Sequence, residues 1–396
     1  MSQPQPDGPE PGTPFGDYLL LREIAAGGMA QVLLARALAG PHVGELVAIK
    51  RLHPDLSGDL EFVEMLEREA AVSLQLRHPN IVTTFEQGAV GDQLYLALEY
   101  VPGTDLFRLL QRLERRQLPV PHQVTAYLGL EACRGLHHAH SLQDHEGRPL
   151  GLVHRDISPM NLLLSRRGEV KICDFGIARA TARASRTSTG VLKGKFHYLS
   201  PEYACGEPFD QRSDLFSLGI CLWEAIAGRM LYERPTDRSL IDVVRAAEVP
   251  APSRFRADLP PRLEQIVLRV LQRNPARRHP SAAELGRELG EWLGRDQEQF
   301  ARDRLTDLLH NAETEDVAVP GGASLSQPGG RVGELGCSRA SYQRQADQDT
   351  ARIILRESSV GTSGEVWGVT DPPAEQQTKV PHRGPLQTDE QGAGDD

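Results

Sequence analysis

Asp156 and Asn161 stand five positions apart in the segment 152–164, and a second aspartate, Asp174, follows eighteen residues after the first. A carboxylate such as Asp156 can orient an incoming hydroxyl and take its proton. The Asn161 amide offers a neutral oxygen to a divalent cation. Such an ion also needs a carboxylate close by, and Asp174 supplies one at the end of the turn and strand 168–175. Further upstream, Ile24-Ala25-Ala26-Gly27-Gly28-Met29-Ala30-Gln31-Val32 joins two apolar runs. Glycine lets a backbone fold closely over phosphate oxygens, although the same stretch by itself reads equally well as a hairpin turn. Lys50 closes the run Leu46–Ile49, and Glu69 follows on a helical pattern. An isolated Lys–Glu pair is usually a surface ion pair worth under about 1 kcal/mol.

The elements that must carry these groups change character along the chain. Residues 1–16 are rich in Pro and Gly and read as a disordered leader. From Tyr18 to Val101, short apolar runs at 18–25, 31–38, 46–52, 81–89 and 93–101 predict strands of a hairpin-rich sheet. They are interrupted by one amphipathic helix over 59–76, with Phe62, Leu66, Ala70 and Leu74 at helical spacing. After Pro102 the pattern predicts helices at 105–117, 122–140, 213–228, 238–247, 263–272 and 282–293. A small strand-rich lobe (17–101) thus precedes a larger helical one (102–297), and a site between them would lie in a cleft. Residues 298–396 read as an acidic, Gly/Pro-rich and mostly disordered tail, although Phe300, Leu305, Leu308 and Leu309 offer a stretch able to extend the last helix.

Taken together and in this order, the motifs resemble the eukaryotic-like (Hanks-type) protein kinases of bacteria over residues 17–297, and in particular a soluble subgroup found in myxobacteria. The resemblance implies an α+β, two-lobed protein kinase fold and activity as a serine/threonine protein kinase, with ATP and Mg2+ (or Mn2+) in the cleft. It implies that Lys50 contacts the α- and β-phosphates and that Glu69 orients it. By the same resemblance the loop 24–32 covers the nucleotide, and Ile24, Val32 and Ala48 enclose the adenine. Leu98 then lines the back of the pocket, Glu99 and Val101 bind the base through their backbone, and Asp105 accepts from a ribose hydroxyl. Asp156 is the catalytic carboxylate, and Asn161 and Asp174 are the metal ligands. Glu202 in Ser200-Pro201-Glu202 should pair with Arg278, and Asp214 should cap the catalytic loop; both are structural roles.

The sequence departs from the family pattern in three places. Ala25 and Ala30 stand where the outer glycines of the loop are usual. Ser158 stands two residues after Asp156, where serine/threonine kinases usually carry Lys, and Lys195 stands where a hydroxyl is usual before Ser200-Pro201-Glu202. One reading is an exchange, in which Lys195 supplies the positive charge to the transferring group from the opposite wall and Ser158 the hydrogen bond. Two unrelated neutral substitutions explain the same residues. The segment 181–195 is rich in hydroxyls and cations, so phosphate on Thr187, Ser188 or Thr189 would order it against Arg155, and a flexible linker has the same composition.

Bulk properties narrow the field. The chain has 396 residues and a formal charge of −10, and residues 301–396 carry 16 acidic against 9 basic side chains. A near-neutral body with an acidic tail argues against nucleic acid as a partner, which needs a basic face. Five dispersed cysteines without a CxxC pair fit reduced thiols in a cytoplasm. No run of about 18 apolar residues predicts a membrane span. The partners expected are ATP and proteins bearing Ser or Thr acceptors; the oligomeric state is left open. Two rivals stand beside this reading. A pseudokinase scaffold is favoured by Ala25, Ala30 and Ser158 and opposed by the intact Lys50, Glu69, Asp156, Asn161 and Asp174. A small-molecule kinase acting on an aminoglycoside would have no use for the segment ending in Ser200-Pro201-Glu202.

Overall fold

Apolar residues alternating along the first part of the chain have one face to bury and one to spare, which is the requirement of a sheet covered differently on its two sides. A computed structural model describes residues 12–27, 30–53, 56, 59–175, 196–232 and 239–314. Strands β1 (Thr13–Phe15), β2 (Tyr18–Ala26), β3 (Ala30–Ala37), β4 (Leu46–Leu52), β5 (Thr84–Val90) and β6 (Gln93–Glu99) form one antiparallel sheet in the order β1-β2-β3-β4-β6-β5. Leu33, Ile49 and Ala97 stand opposite one another and are fully buried with Phe15, Tyr18, Leu20 and Tyr95. One residue along, Val32, Lys50 and Leu96 are likewise opposite one another and point to the other face. Helix α1 (Leu60–Ser73) covers that second face, packing Leu66 and Ala70 on Leu52 and Leu96. Period-two alternation therefore places Lys50 and α1 on the same side of the sheet.

The second lobe opens with β7 (Gly103–Asp105), followed by α2 (Leu106–Arg115) and α3 (His122–His140). Strands β8 (Leu162–Ser165) and β9 (Val170–Ile172) form a hairpin that pairs with β7 in the order β7-β8-β9. Then come α4 (Pro201–Cys205), α5 (Arg212–Ala227), α6 (Leu240–Ala246), α7 (Pro261–Val270), α8 (Ala282–Leu293) and α9 (Arg295–Thr314). Helix α5 is buried nearly all round, as its continuous apolar sequence requires, and with α3 it forms the centre of the core. An isolated parallel bridge between Ile81 and Ile172 ties the segment after α1 to β9.

Two boundaries differ from the sequence reading. Residues 13–15 of the expected leader form β1, because Phe15 has an aromatic seat 5.4 Å from Tyr95. Residues 298–314 of the expected tail form most of α9, which packs on α2, α3 and α8. Its buried face is Ala301, Leu305, Leu309 and Ala312, whereas Phe300 is exposed. The rest of the expected tail, 315–396, lies outside the described residues, as do residues 1–11 of the leader.

Candidate active site

The cleft face of the first sheet and the loops of the second lobe meet at Lys50. Its Nζ donates to Glu69 Oε1 at 2.6 Å and to Asp174 Oδ1 at 2.9 Å. The lysine comes from β4, the glutamate from α1 and the aspartate from the loop after β9, so three separate segments are drawn to one ammonium. Burial alone would lower the Lys50 pKa, but Asp174 and Glu69 together outweigh it and hold the group above its ordinary value. The ammonium therefore stays charged across the physiological range. A small enclosed cavity lies behind this pair, lined by Glu69, Leu98, Ile172, Asp174 and Phe175 among others.

Asp156 and Asn161 sit on the loop that enters β8. Asn161 Nδ2 donates to the Asp156 carbonyl at 2.7 Å and to its Oδ2 at 3.1 Å. With its nitrogen so directed, the amide presents its carbonyl oxygen away from Asp156. The Asn161 backbone carbonyl accepts from Cys173 N at 3.0 Å, so Asn161 and Asp174 are held on neighbouring strand ends. Among the described residues no group of three His, Cys, Asp or Glu side chains is placed to hold a metal. An amide oxygen and one carboxylate are a hard, sparse donor set, and this fits a cation that also binds phosphate oxygens and water.

The loop is set from beneath by Asp214 of α5, which is 1% exposed. Its Oδ2 accepts from His154 N and from His140 Nε2, both at 2.8 Å, and its Oδ1 accepts from Arg155 N at 2.8 Å. Burial alone would raise the Asp214 pKa, but these donors outweigh it and keep it below the ordinary carboxylate value. Arg155 is held at φ +68° and Asp174 at φ +56°, a region that residues with a Cβ enter only at a cost. His154, whose pKa is lowered by burial, bridges the two strained positions. Its Nδ1 accepts from Asp156 N at 3.2 Å, its Nε2 donates to the Cys173 carbonyl at 3.1 Å, and its ring lies 4.4 Å from that of Phe175. His154 stands in the motif His154-Arg155-Asp156, whereas motif reasoning does not single out His140: it lies on a helix and no spacing rule links it to Asp214.

This arrangement, a shielded ammonium facing a carboxylate, an amide and a second carboxylate, accompanies a match to the protein kinase domain family over residues 18–288. The chain belongs to the protein kinase family. It is 41% identical over 269 residues to the tyrosine-protein kinase MasK of Myxococcus xanthus, covering 68% of this chain and 42% of that protein. It is 34% identical over 274 residues to the serine/threonine-protein kinase PrkC of Bacillus subtilis, covering 68% of this chain and 39% of that protein. The chain thus spans less than half the length of these two relatives. Among solved structures, the kinase domain of PknI from Mycobacterium tuberculosis superposes with a TM-score of 0.53 at 27% identity, over 72% of this chain and 99% of that one. The family uses ATP and a divalent metal, and the donor set described above suits both.

Read as a kinase cleft, the remaining expected residues divide clearly. Val32 lies opposite Lys50, and Ala48 opposite Leu98, so Val32, Ala48 and Leu98 share the face that an adenine would meet. Ile24 is half-buried at the end of β2, Ala25 pairs with Val32 and Ala26 with Gln31. Gly27 N donates to the Ala30 carbonyl at 2.9 Å and closes the turn, while Gly28 and Met29 lie outside the described residues. Gln31 accepts from Arg51 Nε at 2.8 Å, and Gly27 O is met by His53 Nε2 at 2.7 Å; neither partner was expected. Between the lobes, Glu99 N donates to the Thr83 carbonyl, so the Glu99 carbonyl is the backbone group suited to a base. The Glu99 side chain pairs with Lys171 of β9 at 2.9 Å, a tie between the lobes that the motif reading missed. Val101 follows in the same connection, half-buried. Asp105 caps α2, accepting from Arg108 N at 2.8 Å, and burial raises its pKa; the cap accounts for this residue without a ribose.

Ser158, expected to supply a hydrogen bond in the exchange with Lys195, makes none to Asp156. Ser158 is extended (φ −157°), 3% exposed, and its Oγ has no partner among the described residues. Asp156 Oδ2 is instead occupied by Asn161. Lys195, Thr187, Ser188 and Thr189 lie outside the described residues. Arg155 is directed toward Phe209, its guanidinium 5.5 Å from the ring, and its buried Nε has no partner among the described residues. Glu202 and Arg278 form the expected pair, at 2.7 and 2.8 Å, under α4.

Proposed function

We propose that this chain is a serine/threonine protein kinase that moves the γ-phosphoryl group of ATP to Ser and Thr hydroxyls of proteins. The observation that carries the reading is Lys50 bridging Glu69 and Asp174 in the cleft that also holds Asp156 hydrogen-bonded to Asn161. In such a site catalysis is mostly positioning and charge neutralisation. Lys50 would hold the α- and β-phosphates, and Asn161 with Asp174 would hold Mg2+, whose preference for phosphate and water oxygens suits two protein ligands. When bound, the metal neutralises charge on the phosphates. Asp156 orients the acceptor hydroxyl and takes its proton. Ile24 to Val32, with Ala48, Leu98 and the Glu99 and Val101 backbone, would enclose the nucleotide, and Asp105 lies within the same rim. Phosphate on Thr187, Ser188 or Thr189 would engage Arg155, and Lys195 would supply the cation missing at Ser158. The intact Lys50–Glu69–Asp174 contacts weigh against a scaffold without turnover. Among the described residues Cys133, Cys173, Cys205 and Cys221 form no disulfide, which suits a reducing cytoplasm. Among the described residues no helix is long and apolar enough to cross a membrane.

The likeness to MasK, named a tyrosine kinase, makes tyrosine the rival acceptor. Incubating the full chain with labelled ATP, Mg2+ and a generic basic protein, followed by phosphoamino-acid analysis, separates the readings. Phosphoserine and phosphothreonine that vanish in Asp156→Asn are expected; phosphotyrosine alone refutes the acceptor assignment, and no label at all refutes turnover. In the same assay Lys195→Ala should lose most of its turnover, and full activity would remove the exchange between Lys195 and Ser158.

A further inference from the structure

Helix α9 starts after residue 288, where the family match ends, yet it is built into the lobe directly behind the catalytic residues. Ala301, Leu305, Leu309 and Ala312 recur at helical spacing, and all are buried in the main core. Its polar side grips the turn of the β8–β9 hairpin. Arg302 Nε donates to the Arg167 carbonyl at 2.9 Å. Gly168, at φ +74°, lies so close that a Cβ there would stand 2.8 Å from Arg302 O and 2.9 Å from Thr306 Oγ1. From the other side Tyr127 of α3 donates to the Gly168 carbonyl at 3.0 Å. The two arms of this hairpin begin at Asn161 and end beside Asp174.

A second route runs from α9 to the same strand. Glu298 accepts from Arg134 of α3 through both oxygens, at 2.7 and 3.1 Å, and Arg134 also pairs with Glu131. Glu131 accepts from Asn80 Nδ2 at 2.8 Å, and that nitrogen also donates to the Val170 carbonyl at 3.0 Å. The Asn80 carbonyl in turn accepts from Ile172 N at 2.9 Å. Thus one set of contacts fixes the tip of the hairpin and the other fixes β9, two residues before Asp174.

We propose that α9 is a brace for the metal-ligand hairpin, with Arg302 and Glu298 as positioning residues that set the separation of Asn161 and Asp174. The proposal rests on the reading of those two residues as metal ligands. Neither Arg302 nor Glu298 bonds Lys50 or Asp156 directly, so a loss of either contact reaches the cleft only through the hairpin and its two ends, Asn161 and Asp174. Groups bonded directly to a metal ligand typically change metal affinity or activity by about 10- to 100-fold when removed, and these contacts, which act on the ligands through the hairpin, belong at the lower end of that range.

The test uses the full chain with Arg302→Ala, Glu298→Gln, Arg302→Lys and Gly168→Ala. Fluorescent ATP-analogue binding is titrated with Mg2+ and repeated in EDTA, alongside hydrogen exchange of the amides of 162–173. In Arg302→Ala, Glu298→Gln and Gly168→Ala the Mg2+ midpoint should rise about tenfold, with unchanged binding in EDTA and faster hairpin exchange. Arg302→Lys, which can still donate to the Arg167 carbonyl, should recover most of the effect. Unchanged Mg2+ midpoints and exchange in correctly folded variants overturn the proposal. So does lost activity with an unchanged midpoint, which would mean only that fewer molecules are folded. If the unsubstituted chain shows no Mg2+-dependent binding, the metal-ligand reading itself fails instead.

Discussion

Replacing Asp214 with asparagine exchanges one oxygen for an amide nitrogen, and the hydrogen-bond inventory around it decides the cost. Three donors converge on this buried carboxylate: His154 N and His140 Nε2 on Oδ2, and Arg155 N on Oδ1, each at 2.8 Å. An asparagine has a single oxygen. If it faces His154 and His140, the amide nitrogen confronts Arg155 N, donor against donor. If it faces Arg155, the nitrogen confronts both His154 N and His140. His140 can switch tautomer and accept, but a backbone N–H cannot. Either orientation therefore strands one buried backbone donor and removes a charged acceptor. A bond to a charged group is worth about 1.5–3 kcal/mol, and an unsatisfied buried donor costs about 1–3 kcal/mol. The two overlap, so a loss of about 3 kcal/mol in unfolding free energy is expected, with no cavity to confuse it. Because Arg155 sits at φ +68° and is held there by this bond, the loop should also relax. A shift of about 1 Å at Asp156 would lower kcat by about 100-fold, while the KM for ATP, set largely in the other lobe, changes little. Urea unfolding and steady-state kinetics on the same preparation measure both. A variant less than about 1 kcal/mol destabilised, with normal kcat, would refute the claim that Asp214 fixes the catalytic loop.

Lys50→Met should lower kcat/KM by at least about 100-fold with little loss of fold, since the ammonium is a preorganised donor; steady-state kinetics and a thermal melt check it. Arg278→Ala should cost about 3–5 kcal/mol, because it leaves Glu202 buried and unpaired, whereas Arg278→Met with Glu202→Gln should cost clearly less than the two single changes summed. Denaturant midpoints that simply add would contradict this coupling. Burial lowers the His197 pKa from 6.5 to about 4, so the unfolded chain takes up a proton between those values that the folded chain refuses. The associated stability is complete above pH 6.5 and is lost as pH falls toward 4, by about 3 kcal/mol in all; His197→Gln should flatten that part of the stability profile.

The long amphipathic helices and the apolar strands were legible because their signals are local. Helices 122–140 and 282–293 appear with the boundaries expected. What escaped depends on partners distant in sequence. β7 is three residues, Gly-Thr-Asp, with no alternation to read, and exists because β8 pairs with it about sixty residues later. Helix α9 was legible in part: Leu305 and Leu309 of the expected helical stretch are buried, but Phe300 is exposed, and the small Ala301 and Ala312 that complete the buried face carry little apolar signal. In the candidate site, Lys50, Glu69, Asp156, Asn161 and Asp174 could be named because motif spacing encodes them; the structure joins Lys50 to Glu69 and Asp174, and Asn161 to Asp156. His140, Lys171 and Asn80 could not, since their partners Asp214, Glu99 and Glu131 lie 51 to 74 residues away in sequence. That Asn161 and not Ser158 donates to Asp156 was illegible for a related reason: which donor reaches a carboxylate is a matter of loop geometry.

The burial of Ala301, Leu305, Leu309 and Ala312 also bears on how this protein can be divided. A fragment cut at residue 288, where the kinase-family match ends, would sever α8 and leave the greasy flanks of α2 and α3 bare. Such a piece would be prone to clump in solution, and its behaviour would say little about the whole. A part that keeps this face covered must include α9 as far as Ala312.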